Sequence, residues 1–309
     1  MKTVGVIGGS GFIGSHITKQ FLDQGYKVKV SVTDISKKDK YQHLQTLHNS
    51  EHLEIKELDV INKLKLKSFV NDCDVVIHGG TPFQLEVKDA QKELLDPTIR
   101  GTENFLDVLS ESPKIKKIVF IASVAAWNTN FPLPPQGKMA TDTISENDPP
   151  FLSNESHPYA QAKYIANKAV EGYIKEHPDL DVEITSVSPV AVFGESMSKR
   201  EDSTSTGLQF LIKNNLAPNA FVKMLYDTDA EFAVVDVNDV AHGIYKAATT
   251  FGLHGKNYLL SSETYPVSDV SLMLNGKQPK NQPKIIYQNR LAVQDLKIPF
   301  RTVKATLHN

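Results

Sequence analysis

Residues 2–25 read KTVGVIGGSGFIGSHITKQFLDQG, and this stretch decides the fold. KTVGVIG is a short apolar strand that runs into glycines. Ile13, Ile17 and Phe21 then recur at helical spacing on a single stripe, and Gly25 ends that helix as a C-terminal glycine does. Between strand and helix, Gly8-Gly9-Ser10-Gly11-Phe12-Ile13-Gly14 makes the turn. Glycines permit a tight turn and let a pyrophosphate approach the backbone. The helix start offers unpaired N–H groups and a positive dipole end. A triplet serving only strand–helix packing would use the same letters. Placement directly after a strand and before an amphipathic helix favours a dinucleotide cradle, with Gly8, Ser10, Gly11, Phe12, Ile13 and Gly14 as its contacts.

The alternation continues down the chain. KVKVSV (27–32), HLEIKELDV (52–60), DVVIHGG (74–80), KKIVFIASVAA (116–126) and VEITSVSPVAVFG (182–194) read as further strands separated by helical segments. The longest such segment runs from Lys88 to Ser110, with Pro97 kinking it. Strands spaced by helices imply right-handed crossovers, hence an α/β fold with a doubly wound parallel sheet of the Rossmann type. Residues 128–158 are rich in Pro, Asn and Ser, and loops of that length usually serve function. After Gly194 the pattern turns irregular, until FAVVDVNDVAHGIYKAA (232–248) and NYLLSS (257–262) resume it. The expected organisation is a dinucleotide-binding domain over 1–194, rejoined by 232–262. A smaller α/β substrate lobe is expected from 195–231 and 263–309.

Composition narrows the function classes. The chain has 309 residues, 40% of them hydrophobic and 23% charged, with a net charge of −2. That supports a sizeable core and suggests no nucleic-acid partner. Lysines cluster only at SKKDK (36–40), interrupted by Asp39. Cys73 stands alone, so no internal disulfide or thiolate metal cluster is expected, and a buried structural thiol is. His48 and His52 share i,i+4 spacing but straddle a helix-to-strand boundary, so no metal site is expected. MKTVGVIGG at the N-terminus reads as neither signal peptide nor membrane span. A cytoplasmic protein without a membrane partner is the expectation.

HPYAQAKYIANK (157–168) holds two overlapping Tyr-x-x-x-Lys pairs, Tyr159 with Lys163 and Tyr164 with Lys168. Either spacing sets a phenol and an ammonium on one helical face. At about 100° per residue, Tyr164 lies roughly 140° around the helix from Tyr159, so only one pair can face a common ligand. A phenol titrating near about pH 10 is a slow proton donor at neutral pH, and an adjacent positive charge brings it toward the working range.

The GxxGxxG spacing, a Tyr-x-x-x-Lys pair after the fifth strand and Ser123 at that strand's end resemble the extended short-chain dehydrogenase/reductase superfamily, the NAD-dependent epimerase/dehydratases. HGGTPF (78–83), DPTIRGTENFL (96–106), FIASVAAWN (120–128) and FAVVDVNDVA (232–241) are similar to its dihydroflavonol reductase-like and aldehyde reductase-like members. The likeness covers nearly the whole chain and is weakest over 129–157 and 195–231. That family prefers a small residue just before the lysine. Ala162 stands there in the first pair and Asn167 in the second. Ser123 precedes Tyr159 by 36 residues (159 − 123), matching the reductase-like arrangement. The resemblance therefore implies that Ser123, Tyr159 and Lys163 are catalytic. Tyr159 would protonate the oxygen of a carbonyl that receives hydride, Lys163 would tune the phenol and bind the cofactor ribose, and Ser123 would orient the carbonyl. Tyr164 and Lys168 are expected to be ordinary helix surface. Asn128 aligns with a substrate-contacting asparagine, although a loop asparagine capping a turn fits equally. Phe83, Trp127 and Phe193 are candidates for an apolar substrate wall or for core.

The same resemblance bears on the cofactor. Thr33 stands where phosphate-preferring relatives place arginine, and Asp34 after it suits the ribose hydroxyl of NAD. Lys40 matches a lysine that the reductases use for a 2′-phosphate, and Lys37 and Lys38 adjoin it. NADP(H) is favoured, with NAD(H) the alternative. Asp59 and Val60 resemble the adenine-contacting pair. Gly79, Gly80 and Thr81 resemble the turn beneath the cofactor, and Pro189 and Val192 the strand-six turn near the nicotinamide. Ile7 and Ala122 depart from the family's usual hydroxyl residues without removing a catalytic group. The implied activity is hydride transfer from NAD(P)H to an aldehyde or ketone, with a small carbonyl or alcohol as partner and a monomer or homodimer as the assembly. A nucleotide-sugar epimerase or dehydratase is the alternative, supported thinly by Lys199, Arg200 and Lys213. A cofactor-sensing protein without turnover is the third reading.

Overall fold

The strands after β1 are apolar on both faces where the sheet is central, and the sheet is covered on both sides accordingly. In the computed structural model, which describes residues 1–79, 88–199 and 204–308, there are two sheets. The strands are β1 (Thr3–Ile7), β2 (Lys27–Val32), β3 (Leu53–Glu57), β4 (Val75–His78), β5 (Lys117–Ile121), β6 (Glu183–Pro189), β7 (Ala191–Phe193), β8 (Glu231–Asp236), β9 (Asn257–Leu260) and β10 (Thr264–Pro266). The larger sheet runs β3-β2-β1-β4-β5-β6-β9 and is parallel throughout. Its order reverses between β1 and β4, which opens a crevice at their carboxyl ends, where ligands bind in such folds.

The helices are α1 (Phe12–Asp23), α2 (Lys63–Val70), α3 (Asp96–Leu109), α4 (Pro158–Glu176), α5 (Thr204–Lys213), α6 (Ala220–Asp227), α7 (Val237–Thr249), α8 (Val267–Leu274), α9 (Arg290–Leu296) and α10 (Val303–Leu307). Side chains alternate along each strand. Val6, Ile77, Val119 and Val187 therefore pack with Ile17 and Phe21 of α1 and Val240 and Ile244 of α7. Val76, Ile118, Phe120 and Ile184 face the other way, onto Phe69 of α2, Phe105 of α3 and Val170 of α4. Each large side chain fully buried this way contributes about 1.5–3 kcal/mol. Gly25 ends α1 in a left-handed turn (φ +76°), with its N–H on Leu22 and that of Tyr26 on Phe21.

Four elements differ from the sequence reading. The long segment before residue 110 is a π-helical turn, Gln91–Leu95, followed by α3 with Pro97 in its first turn. The missing N–H of Pro97 is harmless there, so the kink resolves as a helix start. VEITSVSPVAVFG is two strands rather than one. Pro189 has no N–H with which to extend the ladder, and after a last bond from Val190 to Leu260 the chain leaves the large sheet. β7 then pairs with β8 in the second sheet, ordered β10-β8-β7. So β8 does not rejoin the large sheet, although α7 behind it packs on α1 and β9 does pair with β6. Likewise α9, beyond residue 263, packs on β9 and α7 of the large domain.

Cys73 is fully buried, donates to the Phe69 carbonyl at 3.6 Å, and burial pushes its thiol up to about 12. It is an inert packing residue. Among the described residues no helix is long and apolar enough to cross a membrane.

Candidate active site

The cradle is built by backbone demands that only glycine meets. Gly8 follows β1 with φ +80°, a left-handed conformation costly for other residues. A Cβ on Gly14 would lie 2.1 Å from the Gly8 carbonyl oxygen, so the helix could not pack this close with any side chain there. The Gly11 N–H bonds the Gly8 carbonyl and the Gly8 N–H bonds Ser31 Oγ at 2.9 Å, which fixes the turn. Gly11 provides no side-chain cap, and the first turn of α1 carries no acidic residue. The leading N–H groups of the helix therefore meet an anion without a competing carboxylate. This arrangement fits a dinucleotide diphosphate. Gly79 closes the crevice from β4; its N–H bonds Ile7, and a Cβ would meet Ile121 Cδ1 at 2.8 Å.

The catalytic candidates converge from β5 and α4. Beyond Ile121, Ser123 caps a 3-10 turn over Val124–Ala126, its Oγ accepting from the Ala125 N–H at 3.2 Å. That leaves the hydroxyl proton for the Tyr159 phenol, with which Ser123 hydrogen-bonds. His157 caps α4 by accepting from the Tyr159 N–H at 3.2 Å, and Pro158 sets the first turn. One turn further, Lys163 is 6% exposed and donates to the Ile121 carbonyl at 2.8 Å. Burial alone lowers its ammonium to about 7. The phenol is displaced upward by burial, and the Ser123 hydroxyl pulls it back. The sequence reading gave this tuning to Lys163. Among the described residues the Ser123 hydrogen bond lowers the phenol, and the Lys163 ammonium donates to the carbonyl at the end of β5.

The second pair goes elsewhere. Lys168 is exposed, lies 5.8 Å from the centre of the Tyr164 ring and pairs with Glu171 at 2.6 Å. An exposed pair of this kind contributes at most about 1 kcal/mol. Tyr164→Phe and Lys168→Ala should each leave kcat/KM within about twofold, measured on purified variants. A loss of a hundredfold or more, as about the effect of removing a general acid, would move the chemistry to this pair.

At the end of β2, Asp34 accepts from the Ser36 N–H at 2.9 Å and the Ser36 hydroxyl at 2.6 Å, with Lys37 at 3.6 Å. The Ser36 hydroxyl foremost holds its carboxyl below the usual range. Thr33 is exposed beside it, and Lys40 is partly buried. Asp59 accepts from the Ile61 N–H, and Val60 packs against Gly101, whose Cβ would meet it at 2.8 Å. Pro189 and Val192 flank the departure of the chain from the large sheet. Gly80, Thr81, Phe83 and Arg200 lie outside the described residues.

Two substrate candidates sit in packing roles. Asn128 is fully buried; its amide donates to the Leu133 carbonyl at 2.8 Å and the Tyr287 hydroxyl at 2.9 Å, and its carbonyl accepts from the Asn130 N–H. It ties the 128–158 loop to the body, as a turn-capping asparagine does. Phe193 is 1% exposed and packs on Phe232 in the small lobe's core. Sequence reasoning missed four histidines near the site. Besides His157, His43 meets Ser15 Oγ at 2.8 Å, and His16 joins α1 to Asn238 and to the Glu195 carbonyl. His78 ends β4. Only His157 carried a signal, as the residue before a helix-starting proline.

A family model described as "NAD dependent epimerase/dehydratase family" matches residues 4–261. A cinnamoyl-CoA reductase of Medicago truncatula is 29% identical over 258 residues, 82% of this chain and 75% of that protein. An anthocyanidin reductase of Vitis vinifera is 25% identical over 289 residues, 90% of this chain and 82% of that one. Among solved structures, yeast methylglyoxal/isovaleraldehyde reductase Gre2 complexed with NADPH superposes with a TM-score of 0.79 at 23% identity, covering 99% of this chain and 96% of its own.

Proposed function

The chain belongs to the NAD dependent epimerase/dehydratase family, and we propose that it is a reductase using NADPH to convert an aldehyde or ketone to the alcohol. The observation that carries this reading is the Ser123 hydroxyl on the Tyr159 phenol, with Lys163 one turn along and buried beneath β5. When bound, the nicotinamide supplies hydride to the carbonyl carbon. Tyr159 holds the proton that the carbonyl oxygen needs, and burial keeps that phenol protonated until transfer. Ser123 has one hydroxyl proton, which it turns to the substrate oxygen when the carbonyl is bound, where a fixed donor stabilises developing charge. Lys163 would donate to the cofactor ribose and add positive potential beside the phenolate.

The cofactor preference rests on the β2 turn. Asp34 already accepts two hydrogen bonds from Ser36 and lies near Lys37, so its repulsion of a 2′-phosphate is partly compensated. Lys37, Lys38 and Lys40 add positive charge to the same turn. The NADPH bound to the yeast enzyme points the same way. Purified protein is expected to oxidise NADPH faster than NADH in the presence of aldehydes, ketones or flavanonols from a panel, with UDP- and dTDP-sugars as controls. Turnover confined to the sugars would replace this reading with an epimerase or dehydratase.

A further inference from the structure

His78, the last residue of β4, has no place in the mechanism above, yet it borders the same lysine. It is 5% exposed, and its ring lies 4.9 Å from that of Phe105 and 5.1 Å from that of Phe120. Its Nε2 is buried without a hydrogen-bond partner among the described residues. The carbonyls of His78 and Gly101 favour a ring N–H directed at them, which leaves Nε2 as the lone pair. Burial first, and the Lys163 charge second, drive the imidazole down to about 3, so it stays neutral at working pH.

A cavity of about 20 Å³ is lined by His78, Thr102, Ala122, Lys163 and Asn167, among others. One water needs about 10–15 Å³ and two to four polar partners, so the space suits a single molecule. The Asn167 amide is engaged at both ends, by Glu171 and Asn257. Thr102 donates to the Thr98 carbonyl and keeps a lone pair. A water held here would accept from the Lys163 ammonium and donate to His78 Nε2 and Thr102 Oγ1.

We propose that His78 is a positioning residue for Lys163, holding its ammonium charged and in place through one water in this cavity. Among the described residues, the titratable group facing Lys163 across the cavity is His78 from β4, and Tyr159 stands one turn before it on its own helix. From β5 comes only the Ile121 carbonyl, from α3 only the Thr102 hydroxyl, and burial is the sole influence that displaces the lysine. A neutral acceptor opposes that burial. Without it, Lys163 loses its proton at lower pH.

The bland role for His78 is an aromatic filler between two phenylalanines, and the two roles separate by substitution. His78→Phe keeps the ring and removes the acceptor; His78→Gln keeps an acceptor and removes the ring. For His78→Phe, kcat/KM at about pH 7 should fall about tenfold and its alkaline limb should move to lower pH, while His78→Gln keeps the limb near that of the parent. Should His78→Phe not fold, His78→Leu replaces it in the same contrast. The kinetic half rests on the reductase reading, so Lys163 is also titrated by NMR at its Cε in the free protein. The same downward shift in the apolar variant, and its absence in His78→Gln, is expected whether or not a carbonyl substrate is found. Superimposable Lys163 titrations in parent and apolar variant, or equal shifts in the apolar and glutamine variants, overturn the proposal. Failure of the reductase reading appears instead as turnover confined to the nucleotide sugars, which leaves the Lys163 titrations as they are.

Discussion

Tyr159→Phe should lower kcat/KM for carbonyl reduction by about a thousandfold, the midpoint of what a positioned proton donor contributes. That corresponds to about 4 kcal/mol of barrier. The substitution removes one oxygen and leaves the ring, so the His157 cap on the residue 159 N–H and the start of α4 are unaffected. Cofactor affinity should therefore stay within about twofold. The loss should fall on kcat more than on KM, because the proton moves only in the transition state. Steady-state kinetics with a responsive aldehyde, alongside NADPH titration by fluorescence, measure both halves. Turnover within about tenfold of the parent would sink the triad assignment, because a bystander phenol loses little on conversion to phenyl.

How much of this was legible depends on which residues leave a mark in the letters. The cradle was readable because Gly8 and Gly14 occupy positions that only glycine tolerates, through φ in one case and a 2.1 Å approach in the other. Helical period showed only that one of the two pairs could face a ligand, and the family resemblance, through Ala162 and the distance to Ser123, chose Tyr159 over Tyr164. The partner of Lys163 was not readable. It is the Ile121 carbonyl, and every residue carries one. Asn128 and Phe193 stayed undecided between two roles for a related reason. An asparagine or phenylalanine near a site suits both substrate contact and interior packing, and the decision lies with partners far away in sequence, Tyr287 and Phe232. The departure of β7 into a second sheet was equally hidden, since VEITSVSPVAVFG is apolar on both sides of the switch.

Lys163→Met should separate function from stability in opposite directions. Methionine has nearly the length of lysine and no charge, so it fills the site and removes the donor to Ile121. Losing a charged hydrogen-bond donor to the ribose should weaken cofactor binding by roughly ten- to a hundredfold. Loss of the positive potential beside the phenolate lowers kcat as well, bringing the combined fall in kcat/KM to about a thousandfold or more. The parent's reduction rate should decline as pH rises past the lysine's titration, placed at about 7 in the free protein. Cofactor phosphates move that limb upward by favouring the charged form.

Stability runs the other way. The folded lysine titrates at about 7 because of burial, whereas an unfolded one titrates near about 10.4. Between those values the unfolded chain binds the extra proton, so the parent gains stability as pH rises through the window and is least stable below it. Lys163→Met has no such titration. Its melting temperature should exceed the parent's at about pH 6, by on the order of a few kcal/mol in stability, and the gap should close toward about pH 10. Calorimetry of the cofactor-free proteins across that range, paired with the NADPH titration, reads both effects. A variant less stable than the parent at low pH would show that the ammonium is held by stronger partners than one carbonyl and a neutral acceptor. Unchanged cofactor affinity would remove Lys163 from the ribose.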